Sequence, residues 1–290
     1  MTTQYSIRER LYGLTDSTKK MGIELEFNGK SREAIDQAID TIREQGVKIG
    51  LERYNHTTKD YWKLITDASL NASRGEESFM LELVSPPLNS NEMGLQLMKI
   101  TNVFNLMGFS VNSSCGFHIH HEAPRFSPKR LKYLVNHFVK NEANFDSIVS
   151  PSRRNSRWAS SNKSRLKSSV DSQGVSDTLS RYHKLNLQSY PKYGTIEFRQ
   201  HQGTLDFEKI VNWAIFTQAL VTRSYRKVTE TEGYDNPMHN YILASGWGTE
   251  NQGAIYPKTE HNQDFLIWLK ARMEHFGVQD SFKLTMRNFA

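Results

Sequence analysis

The chain has 290 residues, 37 of them Lys or Arg against 31 Asp or Glu (net charge +6), and 37% are hydrophobic, enough for a packed core. No run approaches the ~18 apolar residues of a membrane span, and the N-terminal MTTQYSIRERLYGLTDSTKK lacks a signal peptide's apolar stretch. Cys115 is the single cysteine, which excludes an internal disulfide and a multi-cysteine zinc site and makes a reducing cytoplasm the expected compartment, while the mild positive charge leans towards nucleotides, phosphates or nucleic acid.

Met21 to Asn28 alternates, with Ile23, Leu25 and Phe27 on one face of a predicted strand. Ser31 then caps a helix whose apolar positions are Ile35, Ala38, Ile39 and Ile42, ending near Gly46. Tyr61 to Thr66 and Phe79 to Ser85 read as strands, the second stopped by Pro86-Pro87. A helix from Asn89 to Met107 and a strand from Gly116 to Glu122 follow, and Ser127-Pro128 opens a long helix carrying Leu131, Leu134, Val135 and Phe138. Ser150 to Ser180 is serine-rich and basic, and reads as a long mobile loop inserted in the domain. Order resumes at Tyr182 to Tyr190, with a strand at Thr195 to Gln202, a helix around Asp206 to Arg226 and a last helix at Asn262 to Phe276. The whole, residues 1–290, is expected to be one α+β domain with its basic insertion at about 150–180 and a helical region from about 205.

The chain contains no phosphate-binding P-loop, no dinucleotide glycine fingerprint and no G-x-S-x-G elbow. It has instead strands whose polar faces carry metal-binding groups. Residues two apart in a strand share a face, so Glu24 and Glu26 project together, opposite Ile23 and Leu25. Glu82 interrupts an apolar strand, where a carboxylate is costly unless paired or coordinated. His118 and His120 share a face in C-G-F-H-I-H-H, with His121 on the other; Cys115 reads as a small residue at a close approach. Glu197, Arg199 and His201 line up in T-I-E-F-R-Q-H. Each element alone also fits a solvated face or a structural ion pair. Together, four carboxylates with imidazoles suit a hard cation, Mg²⁺ or Mn²⁺, better than zinc. Two such ions beside an arginine would clamp a transferring phosphoryl group.

In combination and order, the segments G-I-E-L-E-F (Gly22 to Phe27), D-A-S-L (Asp67 to Leu70), E-L-V-S-P-P-L (Glu82 to Leu88), C-G-F-H-I-H (Cys115 to His120) and G-T-I-E-F-R-Q-H-Q-G-T (Gly194 to Thr204) resemble the amidoligase family, carboxylate–amine ligases of glutamine synthetase type. The resemblance runs from about Gly22 to about Arg226. It implies a curved, mainly antiparallel sheet with helices packed on its convex face, and ATP with two divalent ions, Mg²⁺ or Mn²⁺, in its concave face. It further implies that Glu24 and Glu26 serve one metal each, that Glu82 and Glu197 are further metal carboxylates, and that His118 ligates the phosphate-side metal. His120 is then expected near phosphate or substrate, Arg199 facing the transferred phosphoryl group, and Asp67 in a substrate or structural role; His201, on the face of Glu197 and Arg199, is a further candidate near the substrate. The small N-terminal domain of glutamine synthetases has no counterpart, so neither their assembly between subunits nor glutamate and ammonia as substrates carries over.

The basic segment has three readings: a solvated loop, a lid closing over ATP with Arg153 and Arg154 on its phosphates, or a nucleic-acid contact. Trp158 is the one aromatic between Arg153 and Arg181, a poor stacking platform, which makes nucleic acid the weakest of the three. The expected activity is an ATP-dependent ligase joining an unidentified carboxylate and amine through an acyl phosphate. A metal-dependent hydrolase or phosphotransferase on the same fold, and a basic nucleic-acid-binding module, are the alternatives.

Overall fold

The structure is a computed structural model that describes residues 19–66, 79–123, 126–163, 170–171, 174–175, 181–232, 271–272 and 274–276. Its first strand, β1 (Lys20–Gly29), buries Ile23, Leu25 and Phe27 on one side, as its alternation predicts. Helix α1 (Arg32–Glu44) begins where Ser31 Oγ accepts from the Ala34 amide. It lays Ile35, Ala38, Ile39 and Ile42 against the sheet and ends at Gly46, whose φ of 79° suits a residue without a Cβ. Full burial of a side chain such as Ile42 contributes roughly 2 kcal/mol.

The remaining strands are β2 (Ile49–Glu52), β3 (Trp62–Thr66), β4 (Phe79–Val84), β5 (Leu88–Asn89), β6 (Gly116–Glu122), the short pair β7 (Val170–Asp171) and β8 (Gly174–Val175), β9 (Leu185–Asn186) and β10 (Thr195–Gln202). Eight of them form one open, curved sheet in the order β2-β3-β4-β1-β6-β10-β9, with β5 beside β1. Every pairing is antiparallel except β2 with β3. An antiparallel sheet covered on one face alternates apolar-in and polar-out, which is why sequence parity reports its faces. Strands β2 and β5 are sheet strands that the sequence pattern missed: I-G-L-E is four residues long and carries a glycine, and Leu88–Asn89 is only two residues.

Helices α2 (Ser90–Leu106), α3 (Pro128–Ser147) and α6 (Phe207–Glu232) cover the convex face with α1. Asn89 caps α2, and Ser127 with Pro128 opens α3, the latter as expected from sequence. Between sheet and helices, Phe145 of α3 meets Phe198 of β10 and Trp213 and Phe216 of α6, with ring centroids 6.3, 5.9 and 4.8 Å away. The fold is thus α+β, a curved and mostly antiparallel sheet backed by helices.

Two expectations need correction. The segment after Ser150 is not a loop throughout: α4 (Pro151–Arg154) is helical, Ser156 bridges Ala159, and Ser160 bridges His183. Arg153 is buried at 3% exposure, because its guanidinium packs over the sheet instead of facing solvent. Of the rest of that segment, 164–169, 172–173 and 176–180 lie outside the described residues, as does most of the helix expected at 262–276. The second correction concerns β10. Phe198 pairs with Ile119, yet His201 pairs with Phe117, so two residues, Arg199 and Gln200, oppose one on β6. This bulge breaks the alternation and turns His201 to the convex side, where it packs on Phe117 and Trp213 at 5.4 and 5.0 Å. The short helix α5 (Tyr190–Tyr193) leads into β10 through Gly194, at φ 65°.

Candidate active site

The concave face of the sheet forms the floor of a cleft of about 1750 Å³. Glu24 and Glu26 of β1, Glu82 of β4, His118 and His120 of β6, and Glu197 and Arg199 of β10 all line it. Strand register brings them together: Glu24 lies directly across from His118, Glu26 from Glu82, and His120 from Glu197. Glu26 and Glu82 thus place two carboxylates opposite each other, and like charges so placed in a sheet repel. Lys63 is buried beneath the rim, where its ammonium donates to the Asn55 and Thr57 carbonyls at 3.1 and 2.8 Å and pins the loop that forms this edge.

His118 Nδ1 is 3.1 Å from Glu24 Oε2 and 3.9 Å from Glu197 Oε1, and its Nε2 is 3.9 Å from Glu26 Oε1. His120 Nε2 is 3.4 Å from Glu24 Oε1 and 3.9 Å from Glu197 Oε1. Among the described residues, two sets of donors have ligand atoms within 4.8 Å of one another: Glu24, Glu82 and His118; and Glu24, His120 and Glu197. Glu24 is in both. Oxygen donors with one imidazole per set suit a hard divalent cation, and a shared carboxylate suits two of them. Glu26 falls outside both sets. Its Oε2 instead accepts from the Gly116 amide. A Cβ at Gly116 would stand 3.0 Å from the Arg153 guanidinium and 3.1 Å from His118 Nε2, which is why a glycine belongs there.

The electrostatics follow from crowding. Burial pulls the Glu24 carboxyl upward, but hydrogen bonds and charge from His118 and His120 outweigh it and hold it well below the usual carboxylate range. His120 goes the other way: burial disfavours its charged form, and the Glu197 and Glu24 carboxylates override this to raise its pKa. Arg199 is likewise raised despite burial, by Glu197 and Glu24. It remains a permanent cation, bonded through Nη1 to Glu197 Oε1.

Of the arginines expected on phosphates, Arg153 does reach the cleft, its Nη2 donating to the Arg199 carbonyl at 2.8 Å. Arg154 does not line it: its guanidinium donates to the Val149 carbonyl at 3.3 Å and lies over the Phe276 ring at 5.4 Å. His201 is also outside the cleft, because of the bulge. Its Nδ1–H donates to the Gln202 carbonyl at 2.7 Å, and burial lowers its pKa to about 3. His121 faces the core as its parity predicts, with Nε2 2.7 Å from Thr217 Oγ1. Cys115 is at a close approach: a Cβ at Gly203 would collide with its Cβ. Asp67 lies outside the described residues.

The sequence pattern missed Asn186, whose Nδ2 donates to Glu197 Oε2 at 2.5 Å. The signal was present in L-N-L, where Leu185 and Leu187 are buried in the core and the residue between them must face the cleft. It also missed the cation–aromatic corner at one end, where Arg157 lies 4.7 Å over Trp158, Arg181 lies 5.0 Å over Tyr182, and the two rings meet edge to face at 5.3 Å.

Residues 17–221 match the model of a protein family described as "Putative amidoligase enzyme". The chain belongs to the amidoligase family. The match runs from just before β1 into α6 and includes every strand that carries the candidate site. No curated protein matches the chain. As an amidoligase it is an enzyme of the ligase class. Among the described residues no helix is long and apolar enough to cross a membrane.

Proposed function

We propose that this amidoligase is an ATP-dependent carboxylate–amine ligase that forms an amide or peptide-type bond through an acyl phosphate. The observation that carries the reading is the sharing of Glu24 between two donor sets, with the Arg199 guanidinium against Glu197 on the same wall. Two Mg²⁺ or Mn²⁺ ions held there would offset phosphate charge and orient the terminal phosphates. Glu24, Glu82, His118, His120 and Glu197 are the residues that would hold them. Arg199 presents its free guanidinium edge to the γ-phosphoryl group and stabilises it as it moves to the substrate carboxylate, an electrostatic role worth about 3 kcal/mol. Arg153, buried beside it, adds a second fixed positive charge. The amine then displaces phosphate from the acyl phosphate.

The cleft supports this reading by size. Single-ligand pockets run to roughly 1,000 Å³, and this one is about 1750 Å³, space for a nucleotide together with a carboxylate and an amine. The substrates are a small molecule or peptide in each case, and the free, buried Cys115 fits a cytoplasmic setting.

The test offers the enzyme MgATP, hydroxylamine and a panel of acids spanning peptides, amino acids and nucleotide carboxylates. A cognate acid should yield ADP, phosphate and a hydroxamate. AMP and pyrophosphate would mean adenylation and overturn the mechanism. ATP consumption without any hydroxamate from the active acids would favour a hydrolase, and retention of nucleic acid at moderate salt without metal would favour a binding module.

A further inference from the structure

Lys184, at 1% exposure, is the most deeply buried charged side chain among the described residues, and it lies outside the cleft. Its Nζ is 3.1 Å from Glu142 Oε1 and 2.7 and 3.0 Å from the two Asp146 oxygens. Glu142 and Asp146 stand one turn apart on α3. Asp146 Oδ1 also accepts from Gln200 Nε2, and Glu142 Oε2 accepts from the Asn162 amide at 3.0 Å. One ion cluster therefore ties α3 to β10, to the strand entering β9, and to the folded start of the basic segment. A buried ion cluster is a poor source of stability, since apolar residues of the same volume often serve as well or better. Its value has to lie in what it holds in place.

What it holds is the bulge. Arg199 and Gln200 have no register partner on β6. The Arg199 amide donates instead to the Lys184 carbonyl at 2.8 Å, and the Lys184 amide donates to the Ser160 carbonyl at 2.9 Å. Two residues on, Asn186 grips Glu197. Residues 184–186 thus contact both Arg199 and Glu197 of β10, the first at its backbone amide and the second at its side chain.

We propose that Lys184 is a positioning residue, whose ion pairs with Glu142 and Asp146 fix the bulge of β10 and so aim Arg199 and Glu197 into the cleft. The functional half of this statement rests on the phosphoryl-facing role given to Arg199 above; the mechanical half does not. Lys184→Met alone would leave two carboxylates facing each other without their cation and is expected to unfold. The decisive variant is the near-isosteric Lys184→Met, Glu142→Gln, Asp146→Asn, which keeps acceptors for Asn162 and Gln200 and removes all three charges.

Amide hydrogen exchange on the ligand-free full-length protein reads the mechanical half. In the triple variant, exchange at the Arg199 amide should accelerate roughly tenfold or more while β1 and β6 keep their protection. A folded variant with Arg199 protection unchanged overturns the proposal. Asp146→Asn is the milder companion, which leaves Lys184 its Glu142 partner; it should accelerate Arg199 exchange by a smaller factor, about threefold, and no acceleration overturns the proposal equally. Calorimetric affinities for MgATP and MgADP read the functional half. The triple variant should hold MgADP as the wild type does and lose roughly tenfold in its preference for MgATP, the worth of one charge-assisted hydrogen bond. Full retention of that preference, with exchange accelerated, removes the functional role from Lys184. A wild type that binds no MgATP removes the ligase reading, while the exchange experiment still decides the mechanical link.

Discussion

The two halves of the cleft floor are built in different ways. On one side β1, β4 and β6 pair in unbroken register, and Glu24, Glu26, Glu82, His118 and His120 reach the cleft by simple alternation. On the other side β10 leaves the ladder after Phe198, and Glu197 and Arg199 are held by neighbours, namely Asn186, the Lys184 carbonyl and the Arg153 guanidinium against the Arg199 carbonyl. The regular half presents carboxylates and imidazoles at fixed spacing. The bulged half supplies the guanidinium whose direction no ladder sets. A regular ladder thus fixes cleft-facing side chains at set positions, and extra contacts are needed to aim a long, flexible one.

The largest expected effect is on the regular half. Glu24→Gln removes the one carboxylate common to both donor sets, so both cation sites should fail together. Mn²⁺ titration followed by electron paramagnetic resonance should show two sites in the wild type, neither at wild-type affinity in this variant, and one surviving in Glu82→Gln. Turnover by Glu24→Gln should fall by roughly 10³-fold or more, since losing even one electrostatic stabiliser costs about 10²–10³. Two intact sites in Glu24→Gln would refute the shared carboxylate.

On the bulged half, Arg199→Lys should lower turnover by roughly 10²-fold, nearly as much as Arg199→Ala, because lysine keeps the charge and loses the planar fork. The measurement is a rate with hydroxylamine as acceptor. Recovery of most of the rate by lysine would reduce Arg199 to a distant counter-charge.

The same contrast explains what the sequence disclosed. Parity located the faces of β1, β4 and β6 because those strands are regular and one side is apolar. It failed at His201, since one inserted residue reverses every later face and nothing in R-Q-H-Q announces the insertion. The lid reading of Arg154 failed for another reason: adjacent arginines on a one-turn helix point apart, Arg153 over the sheet and Arg154 onto Phe276, some 120 residues away in the chain. Serine-rich composition suggested a loop at Ser156 to Ser160, where backbone bridges to Ala159 and His183 give it order that composition does not report. The shared use of Glu24 was also out of reach, because it depends on cross-strand distances and not on spacing along β1.

His201 offers a smaller effect that marks the bulge from its far side. Its folded pKa of about 3 lies below the ordinary value of 6.5, so above pH 6.5 neither state binds the proton and its contribution is complete. As pH falls below 6.5 the unfolded chain takes up the proton first, and stability is lost down to about pH 3. Between pH 7 and 4.5 this amounts to about 2–3 kcal/mol. Urea unfolding at the two pH values should show the loss, and His201→Asn, which can still donate to the Gln202 carbonyl, should show a shallower acid dependence by that amount. An equally steep loss in the variant would place His201 in water, hence on the cleft side.

The smallest effect concerns Gln200, the extra residue itself. Gln200→Ala keeps the residue count and therefore the bulge, so His201 stays opposite Phe117 and Arg199 stays in the cleft. It removes one hydrogen bond to Asp146, which retains Lys184 at 2.7 Å as its partner. A bond to a charged acceptor is worth about 1.5–3 kcal/mol. Against that, Gln200 Oε1 is buried without a hydrogen-bond partner, and removing it recovers part of its desolvation cost. The net loss should be about 1 kcal/mol, seen as a lower urea midpoint with an unchanged denaturant slope. Turnover should drop by less than tenfold, because the Lys184 carbonyl still holds the Arg199 amide. A loss as large as that of Arg199→Lys would mean that the side chain of Gln200, and not the ion cluster beneath it, aims the guanidinium.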